Sequence, residues 1–329
     1  MSDPTPIRTG VVGAGNMGRH HARVYASHAG VEFVGVHDAD MDRAARIADK
    51  YDGEALGLDD LLERVDAVSI AVPTRYHHPT ATTAMERGID VLVEKPIANT
   101  LEDARDLIDC AERTERVLQV GHVERFNPAV EAVMDIVPDL DVVAVEARRL
   151  GPPVERDSTD SVALDLMIHD IDVVLSLIGD DVESISSERT QDGQYVNATM
   201  TYGSGTVAQF TASRLTQRKI RQLSITATEC YITVDFADQD VAVHRHSMPE
   251  YVPSNGDVTY RHESIIERPV VENGEPLQNE LDSFLAAVRN GDEPTVTGGD
   301  GLRALELALA IDEGRPNTDD TDPLPARNS

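Results

Sequence analysis

Residues 7–18 read IRTGVVGAGNMG, and this stretch decides the fold of the first part of the chain. An apolar, β-branched run leads into the motif G-x-G-x-x-G at Gly13, Gly15 and Gly18, and helical periodicity follows. The glycines permit a tight turn and close backbone approach to a pyrophosphate, whose charge is met by amides at the start of the helix. Asp38 stands 20 residues after Gly18, where a carboxylate can accept hydrogen bonds from ribose hydroxyls. This spacing predicts a dinucleotide-binding site.

The first 120 residues alternate short apolar runs with helical segments. The runs are nearly continuous in apolar residues, as expected for a parallel sheet covered on both faces. This βαβ alternation predicts an α/β fold with a doubly wound Rossmann sheet. The predicted strands are IRTGVVGAG, VEFVGVHD, VDAVSIAVP, IDVLVEKP and RVLQVGH, and the predicted helices are NMGRHHARVYASHA, MDRAARIADKY, HPTATTAMERG and NTLEDARDLIDCAERT.

The pattern changes after residue 121, where a helical stretch at 163–179 precedes many strand-like runs separated by turn signals such as QDGQ, GSG and SNGD. Two helical segments, LQNELDSFLAAVRNG and GGDGLRALELALAIDEG, come last. We predict a Rossmann domain at 1–121, an α+β domain with a large, mainly antiparallel open sheet for substrate binding and oligomerisation at 122–316, and a disordered tail at 317–329. The predicted strands of the second domain are SISSERT, YVNATMTYG, TVAQFTASR, RQLSITATE, CYITVDFA, VAVHRH and YRHESIIER.

The charge of the chain is strongly negative, with 59 acidic and 29 basic residues giving a net charge of −30. The acids are spread along the chain, which favours a solvated surface in a halophilic cell over a site for a basic partner. Such a field also disfavours nucleic-acid binding, which depends on cations. Interrupted apolar runs, an N-terminus without signal-peptide character, and only two cysteines predict a cytoplasmic protein outside the membrane.

Only three of the basic residues are lysines, and one of them, Lys95, lies in LVEKPIAN at 92–99. It ends a predicted parallel strand, at the edge where open α/β sheets bind ligands. An ammonium there can donate to a substrate hydroxyl that is becoming a carbonyl, and a lysine can pass protons where an arginine cannot. The alternative is that Lys95 merely pairs with surface acids.

A second group of polar residues lies in the predicted helix at 163–179. Asp165, His169 and Asp172 are spaced by four and three residues, so they share one helix face. Flanking carboxylates would set the tautomer and basicity of the histidine for taking a hydroxyl proton. The alternative is a capping acid and a buried structural histidine. The histidine pairs elsewhere lack partners at zinc-site spacing, so we predict no metal site.

Together these motifs resemble the Gfo/Idh/MocA family of oxidoreductases, whose pattern is a glycine fingerprint, E-K-P, and D-x-G-x-H-x-x-D. The resemblance covers nearly the whole chain, with Met167 standing where the family has glycine. It implies that Lys95, Asp165 and His169 are catalytic, and it suggests a cis peptide before Pro96.

Two more stretches resemble the family: VPTRYH at 72–77, whose counterpart lies along the cofactor, and GHVERFNP at 121–128, at the domain crossover. With DLMIHDID, the second is most similar to the branch that oxidises the 3-hydroxyl of UDP-N-acetylglucosamine. Arg125, Arg148 and Arg149 offer cations for a pyrophosphate. The implied cofactor-binding residues are Gly13, Gly15, Asn16, Met17, Gly18, Asp38, Pro73, Thr74, His77, Glu94, Lys95 and His122. The implied substrate-binding residues are Lys95, Arg125, Asn127, Arg148, Asp165, His169 and Asp172.

Asp38 also bears on which cofactor binds. Its carboxylate would repel a 2′-phosphate, and Ala39 and Asp40 add no cation, so NAD is expected. Arg43 on the next helix could reach a phosphate, which leaves NADP as the alternative.

We therefore expect a homo-oligomeric, dimeric or tetrameric, NAD-dependent sugar dehydrogenase acting on C3 of a nucleotide sugar. Two alternatives stay open at this point. One is a redox-neutral glycosidase or epimerase-like enzyme that retains its NAD. The other is a non-catalytic NAD(H) sensor that leaves Lys95 and His169 idle.

Overall fold

The computed structural model describes residues 5–153, 161–179, 181–246, 250–254, 257–261 and 263–314, with the backbone alone in 250–254 and 257–261. The chain divides into two units. The first unit contains residues 1–126 and 274–307, and the second contains 127–273 and 308–329. The predicted SNGD turn lies partly outside the described residues, and the predicted tail at 317–329 lies wholly outside them.

A six-stranded parallel sheet forms the centre of the first unit, in the order β3-β2-β1-β4-β5-β6. All of the predicted strands of this sheet are confirmed, and the two-residue β3 is added at one edge. The strands are buried on both faces because helices cover them, which is why their sequences are nearly continuous in apolar residues. The strands are β1 (Ile7–Val12), β2 (Val31–His37), β3 (Glu54–Ala55), β4 (Ala67–Ile70), β5 (Asp90–Glu94) and β6 (Leu118–Gly121).

The helices of the first half lie where the sequence predicted them, with one short addition between β3 and β4. Two of them begin at the kind of residue that the sequence pattern favours: the side chain of Asp40 accepts from the amide of Arg43, and that of Thr100 accepts from the amide of Asp103. The helices are α1 (Asn16–Ser27), α2 (Met41–Lys50), α3 (Leu58–Leu62), α4 (His77–Glu86) and α5 (Leu101–Thr114).

The domain prediction needs a correction at the C-terminal end. The sequence assigned all of 122–316 to the second domain, but 274–307 belongs to the first unit. The reason is an apolar face of α8 (Pro276–Asn290), which packs into the core formed by β1 and α1. The buried residues of this shared cluster include Val11, Ala22, Tyr25, Leu277, Leu281, Phe284 and Leu285. Sequence pattern alone shows that such a helix has an apolar face, not which sheet it covers.

An eight-stranded sheet dominates the second unit, in the order β16-β13-β12-β11-β7-β10-β9-β8. Every neighbouring pair is antiparallel except β7 and β10, which are parallel. The mainly antiparallel sheet is therefore confirmed. The strands are β7 (Val142–Leu150), β8 (Val182–Thr190), β9 (Tyr195–Tyr202), β10 (Val207–Ser213), β11 (Ile220–Ala227), β12 (Tyr231–Asp235), β13 (Asp240–His246) and β16 (Ser264–Glu267), and a separate hairpin contains β14 (Glu250–Ser254) and β15 (Asp257–Arg261).

The sequence prediction missed β7 and α6 (Pro128–Ile136), although β7 lies in the middle of the sheet. Its burial alternates along the chain, with Val145, Ala147 and Arg149 buried and Glu146 and Arg148 exposed. Three charged residues in its last five positions interrupt the apolar run by which such a strand would be predicted. The two faces of the sheet consequently have different chemistry.

The predicted helix at 163–179 is confirmed, but its first turn differs from expectation. Ala163–Met167 forms a π-helical turn, and α7 (Ile168–Ile178) continues from it. Gly179 ends α7 in the left-handed conformation, with φ of 68°. The last helix, α9 (Gly298–Glu313), lies where the sequence predicted it. Among the described residues, no helix is both long and apolar enough to span a bilayer.

The packing of α8 gives a first testable prediction. Phe284 is fully buried in the core of the first unit, so Phe284→Ala leaves a cavity and is expected to lower the free energy of unfolding by about 3 kcal/mol or more. Urea unfolding followed by circular dichroism measures the loss. Gln278→Ala, an exposed position on the same helix, is the matched control. Equal stability of the two variants would contradict the assignment of α8 to this core.

Candidate functional site

The carboxyl ends of the parallel strands carry the predicted nucleotide site. Gly13 follows β1, Asp38 follows β2, and Lys95 and His122 follow β5 and β6. Pro73 and Thr74 stand in the connection after β4. Because β1 lies between β2 and β4, the direction of strand order reverses beside it. Open α/β sheets bind ligands at this kind of switch point.

The glycine turn is required by sterics. Gly13 has φ of +108°, and a Cβ there would lie 2.5 Å from the carbonyl oxygen of Ala71. A Cβ at Gly18 would lie only 1.7 Å from the carbonyl oxygen of Gly13. A Cβ at Gly15 would meet no heavy atom within 4 Å, so the turn is open on that side. Gly13 and Gly18 are required by internal packing, and Gly15 leaves room for a ligand.

The start of α1 has the properties of a phosphate-binding helix terminus. Asn16 is its first residue, and within the described chain no side chain caps the helix and no acid lies in its first turn. Asn16 is exposed and Met17 half-buried. Amides at such a terminus favour an anion, so these residues fit the pyrophosphate of a dinucleotide.

Asp38 is held firmly at this turn. Its Oδ2 accepts from the amide of Ala14 at 2.6 Å, and its Oδ1 accepts from the amide of Asp40 at 2.8 Å. Arg43, the one nearby cation considered for a 2′-phosphate, lies 3.6 Å from the carboxylate of Asp40. Asp40 is therefore within ion-pair distance of the cation that could otherwise meet a 2′-phosphate.

Glu94, at the end of β5, has a buried partner that the sequence reading missed. Its Oε1 lies 2.9 Å from Nε2 of His21, whose side chain is fully buried on α1. Burial favours the neutral carboxyl, but the hydrogen bond and charge of His21, with smaller contributions from Lys95 and His77, outweigh it and lower the pKa of Glu94. The signal in the sequence was a polar residue three positions after Gly18, on the apolar face of α1.

His77 links the ends of two strands. Its Nδ1 lies 2.9 Å from the carbonyl oxygen of Pro96, and its Nε2 lies 2.9 Å from that of Val72. Carbonyl oxygens only accept, so a ring nitrogen that carries a proton donates to the carbonyl beside it. The ring is buried, and the Lys95-Pro96 peptide is cis, as the sequence suggested. His77 thus belongs to the framework around Lys95.

The second unit carries the other predicted group. Asp165 lies in the π-helical turn and His169 in the first turn of α7, and both are half-buried. Met167, where the family has glycine, is fully buried, as is Asp172. A π-helical turn places its side chains differently from an α-helical one and is frequent at functional sites.

Arginines hold the acids of this helix. Nη2 of Arg214, just after β10, donates to Oδ2 of Asp165 at 2.6 Å. Arg149 on β7 binds both carboxylate oxygens of Asp170 at 2.7–3.0 Å, and this pair is almost fully buried. The sequence reading did not select Arg214, because its partner lies 49 residues away in the chain.

The remaining predicted substrate residues lie in other surroundings. Arg125 lies 3.7 Å from Asp300 within the first unit. Asn127 caps α6 by accepting from the amide of Ala129, and its Nδ2 donates to the carbonyl of Phe236 at 3.0 Å. Arg148 lies on the exposed face of β7, opposite the face that α7 covers. The described residues contain no cluster of three or more histidine, cysteine or acidic side chains placed to hold a metal ion.

Comparison with known proteins gives matches along both units. The profile of the GFO/IDH/MocA oxidoreductase family, NAD-binding Rossmann fold, matches residues 7–122, and that of the GFO/IDH/MocA C-terminal domain matches residues 143–233. UDP-N-acetylglucosamine 3-dehydrogenase from Acidithiobacillus ferrooxidans is 34% identical over 313 residues, covering 93% of this chain and 96% of that protein. A solved structure of that dehydrogenase matches with a TM-score of 0.84 at 32% identity, covering 94% of this chain and 97% of that one. An inositol 2-dehydrogenase from Rhizobium meliloti is 29% identical over 92% of this chain and 95% of its own length.

The buried pair of His21 and Glu94 gives a second prediction. His21→Phe removes the partner of a buried carboxylate, so at neutral pH we expect the free energy of unfolding to fall by about 3 kcal/mol or more. The lowered pKa of Glu94 means that the pair stabilises the protein above the unfolded value, about 4.3, and that this contribution is lost as pH falls through the folded value. In the variant burial raises the pKa instead, so the deficit should grow as pH rises.

Urea unfolding of both proteins at pH 5 and pH 7.5 measures this dependence. His20→Phe, at the neighbouring and half-buried position, is the control. A His21→Phe deficit that is the same at both pH values would show that lost packing, and not the buried charge of Glu94, accounts for the change.

Proposed function

Because this chain belongs to the Gfo/Idh/MocA family of NAD(P)-dependent oxidoreductases, we propose that it is an NAD-dependent dehydrogenase acting on C3 of UDP-N-acetylglucosamine or a related nucleotide sugar. The observation that carries the proposal is Lys95, one of three lysines in the chain, at the carboxyl end of β5 beside the nucleotide switch point. Members of the family act on CH-OH groups, and the relative named for UDP-N-acetylglucosamine matches this chain over nearly its whole length.

The acidic ribose position supports NAD over NADP. Asp38 would oppose a 2′-phosphate, and Arg43, the cation that could bind one, lies within ion-pair distance of Asp40. The glycine turn and the uncapped start of α1 would hold the pyrophosphate. When bound there, NAD supplies the hydride acceptor.

The family motif assigns a role to each reacting side chain of this chain. His169 accepts the proton of the sugar hydroxyl as general base. Lys95 donates a hydrogen bond to the same oxygen and stabilises the negative charge that develops on it. Asp165, which accepts from Arg214 at 2.6 Å, supports the positive charge that His169 gains.

The surroundings of Lys95 and His169 support these roles. His21 and His77 fix the residues on either side of Lys95 through Glu94 and Pro96. A lysine whose backbone is held on both sides loses less freedom when it binds substrate, so more of its charge acts on the reacting oxygen. On α7, the buried pair of Arg149 and Asp170 gives the same support to the helix that carries His169.

A panel of substrates tests the proposal. Purified protein is incubated with NAD and UDP-N-acetylglucosamine, other UDP-sugars, sugar phosphates or inositols, and NADH is measured by absorbance. We expect UDP-N-acetylglucosamine to react, and Lys95→Ala to lower kcat by at least about 100-fold. Lys50→Ala, which removes an exposed lysine of α2, should keep full activity. Silence of the whole panel with NAD bound would favour the redox-neutral enzyme or the sensor instead.

Cofactor choice is tested separately at Asp38. Asp38→Ser removes the carboxylate that opposes a 2′-phosphate, so the ratio of kcat/KM for NADP to that for NAD should rise by about tenfold or more. Asp49→Ser removes the same charge from the far end of α2 and should leave the ratio unchanged. If wild type already prefers NADP, the reading of Asp38 and Arg43 is wrong.

A further inference from the structure

One stretch of this acidic chain contains no acids. Residues 193–228 hold neither aspartate nor glutamate, whereas the average density of acids would put about six in a stretch of that length. The same stretch contains four cations within eight residues: Arg214, Arg218, Lys219 and Arg221. Lys219 is one of only three lysines in the chain. A local excess of cations in a protein of net charge −30 favours an anionic ligand there.

Three of these cations lie on one loop at the end of the second sheet, and Arg221 lies at the start of β11, which follows the loop. Residues 214–219 connect β10 to β11, and β7 lies between those two strands. The loop therefore crosses the carboxyl end of β7. The amide of Thr216 donates to the carbonyl of Gly151 at 3.0 Å, and the amide of Gly151 donates to that of Ser213 at 2.9 Å. These bonds fix the backbone of the loop to the strand beneath it.

Two of the four cations anchor the loop. Arg214 binds Asp165 at 2.6 Å, so the loop begins in direct contact with the motif that carries His169. Arg221 is half-buried, and its Nη1 donates to the carbonyl of Leu150 at 3.1 Å. The arrangement joins the loop to the proposed reaction site at one end and to β7 at the other.

The other two cations face solvent. Arg218 and Lys219 are exposed, and among the described residues neither has an acid within ion-pair distance. Exposed arginines elsewhere do pair with acids, as Arg64 does with Glu54 and Arg268 with Asp240. Arg46 and Arg105 are exposed and likewise have no acid within ion-pair distance among the described residues, so what sets Arg218 and Lys219 apart is that they are adjacent in an acid-free stretch.

We propose that Arg218 and Lys219 bind the diphosphate of a nucleotide-sugar substrate. The proposal rests on the proposed function and names the part of the substrate that the loop recognises. A diphosphate attached to the sugar at C1 lies close to C3, so its charges must be met near His169, and the loop begins at the partner of Asp165. An arginine beside a lysine supplies directed and point-charge contacts to phosphate oxygens.

This assignment replaces the arginines that the sequence suggested for the pyrophosphate. Arg149 is buried against Asp170, and Arg125 lies beside Asp300. Arg148 lies on the sheet face opposite to α7. The loop cations are exposed, and their loop begins at the partner of Asp165, which none of those three combines.

The double variant Arg218→Gln/Lys219→Gln tests the proposal in the full-length protein. Binding of UDP, measured by isothermal titration calorimetry, should weaken by about tenfold or more, because two charge-assisted contacts are lost. In the NADH assay the KM for UDP-N-acetylglucosamine should rise by a similar factor, with kcat within about twofold and the KM for NAD unchanged. The dependence of UDP affinity on potassium chloride should also flatten.

Arg189→Gln/Arg268→Gln removes two exposed cations from the same unit and serves as the control, and circular dichroism checks that both double variants are folded. A loop variant that binds UDP like the control, or wild-type protein that does not bind UDP, overturns the diphosphate assignment. UDP binding requires no turnover, so the calorimetry tests the role of this loop even if no sugar is oxidised. Absence of NADH formation with every sugar would count against the proposed function alone.

Discussion

The contact between Gly18 and the carbonyl oxygen of Gly13 is the constraint on which the first unit depends. A Cβ at Gly18 would lie 1.7 Å from that oxygen, so only glycine lets α1 pack this closely to the end of β1. The close packing exposes the amides at the start of α1 toward the strand ends and carries His21 into the core. From there His21 meets Glu94 at the end of β5. The turn that fits a pyrophosphate therefore also determines the surroundings of Lys95.

Buried charge appears beside each of the two motifs that are proposed to be catalytic. Glu94 and His21 lie next to Lys95, and Asp170 and Arg149 lie next to His169. Such pairs contribute little net stability, because desolvation offsets much of their attraction, but breaking one leaves an uncompensated charge. Their placement makes the position of each motif costly to change. Each pair therefore gives rigid support to the motif in its own unit.

The sequence predicts the elements whose pattern is local. It does not predict contacts between residues that are distant in the chain. The glycine turn, the strands around it and the helix carrying His169 follow from short-range pattern, and all are present. The central strand β7 was missed because its alternating charges, among them Arg148 and Arg149, hide its apolar face. The role of His21 is not evident from the sequence. Nothing local indicates that Glu94, 73 residues away, is its partner. The assignment of α8 to the first unit likewise depends on tertiary packing.

The overall charge of the chain bears on how an anionic substrate would be recognised. A net charge of −30 repels a diphosphate at long range. In 1 M salt the range of that repulsion, the Debye length, falls to about 3 Å. Attraction by loop cations is shortened in the same way, so affinity at high salt would have to come from direct contact rather than from steering. Arg218 and Lys219 are exposed and adjacent on a loop whose backbone is bonded to Gly151 through Thr216, and direct contact is the kind of binding that the proposal assigns to them.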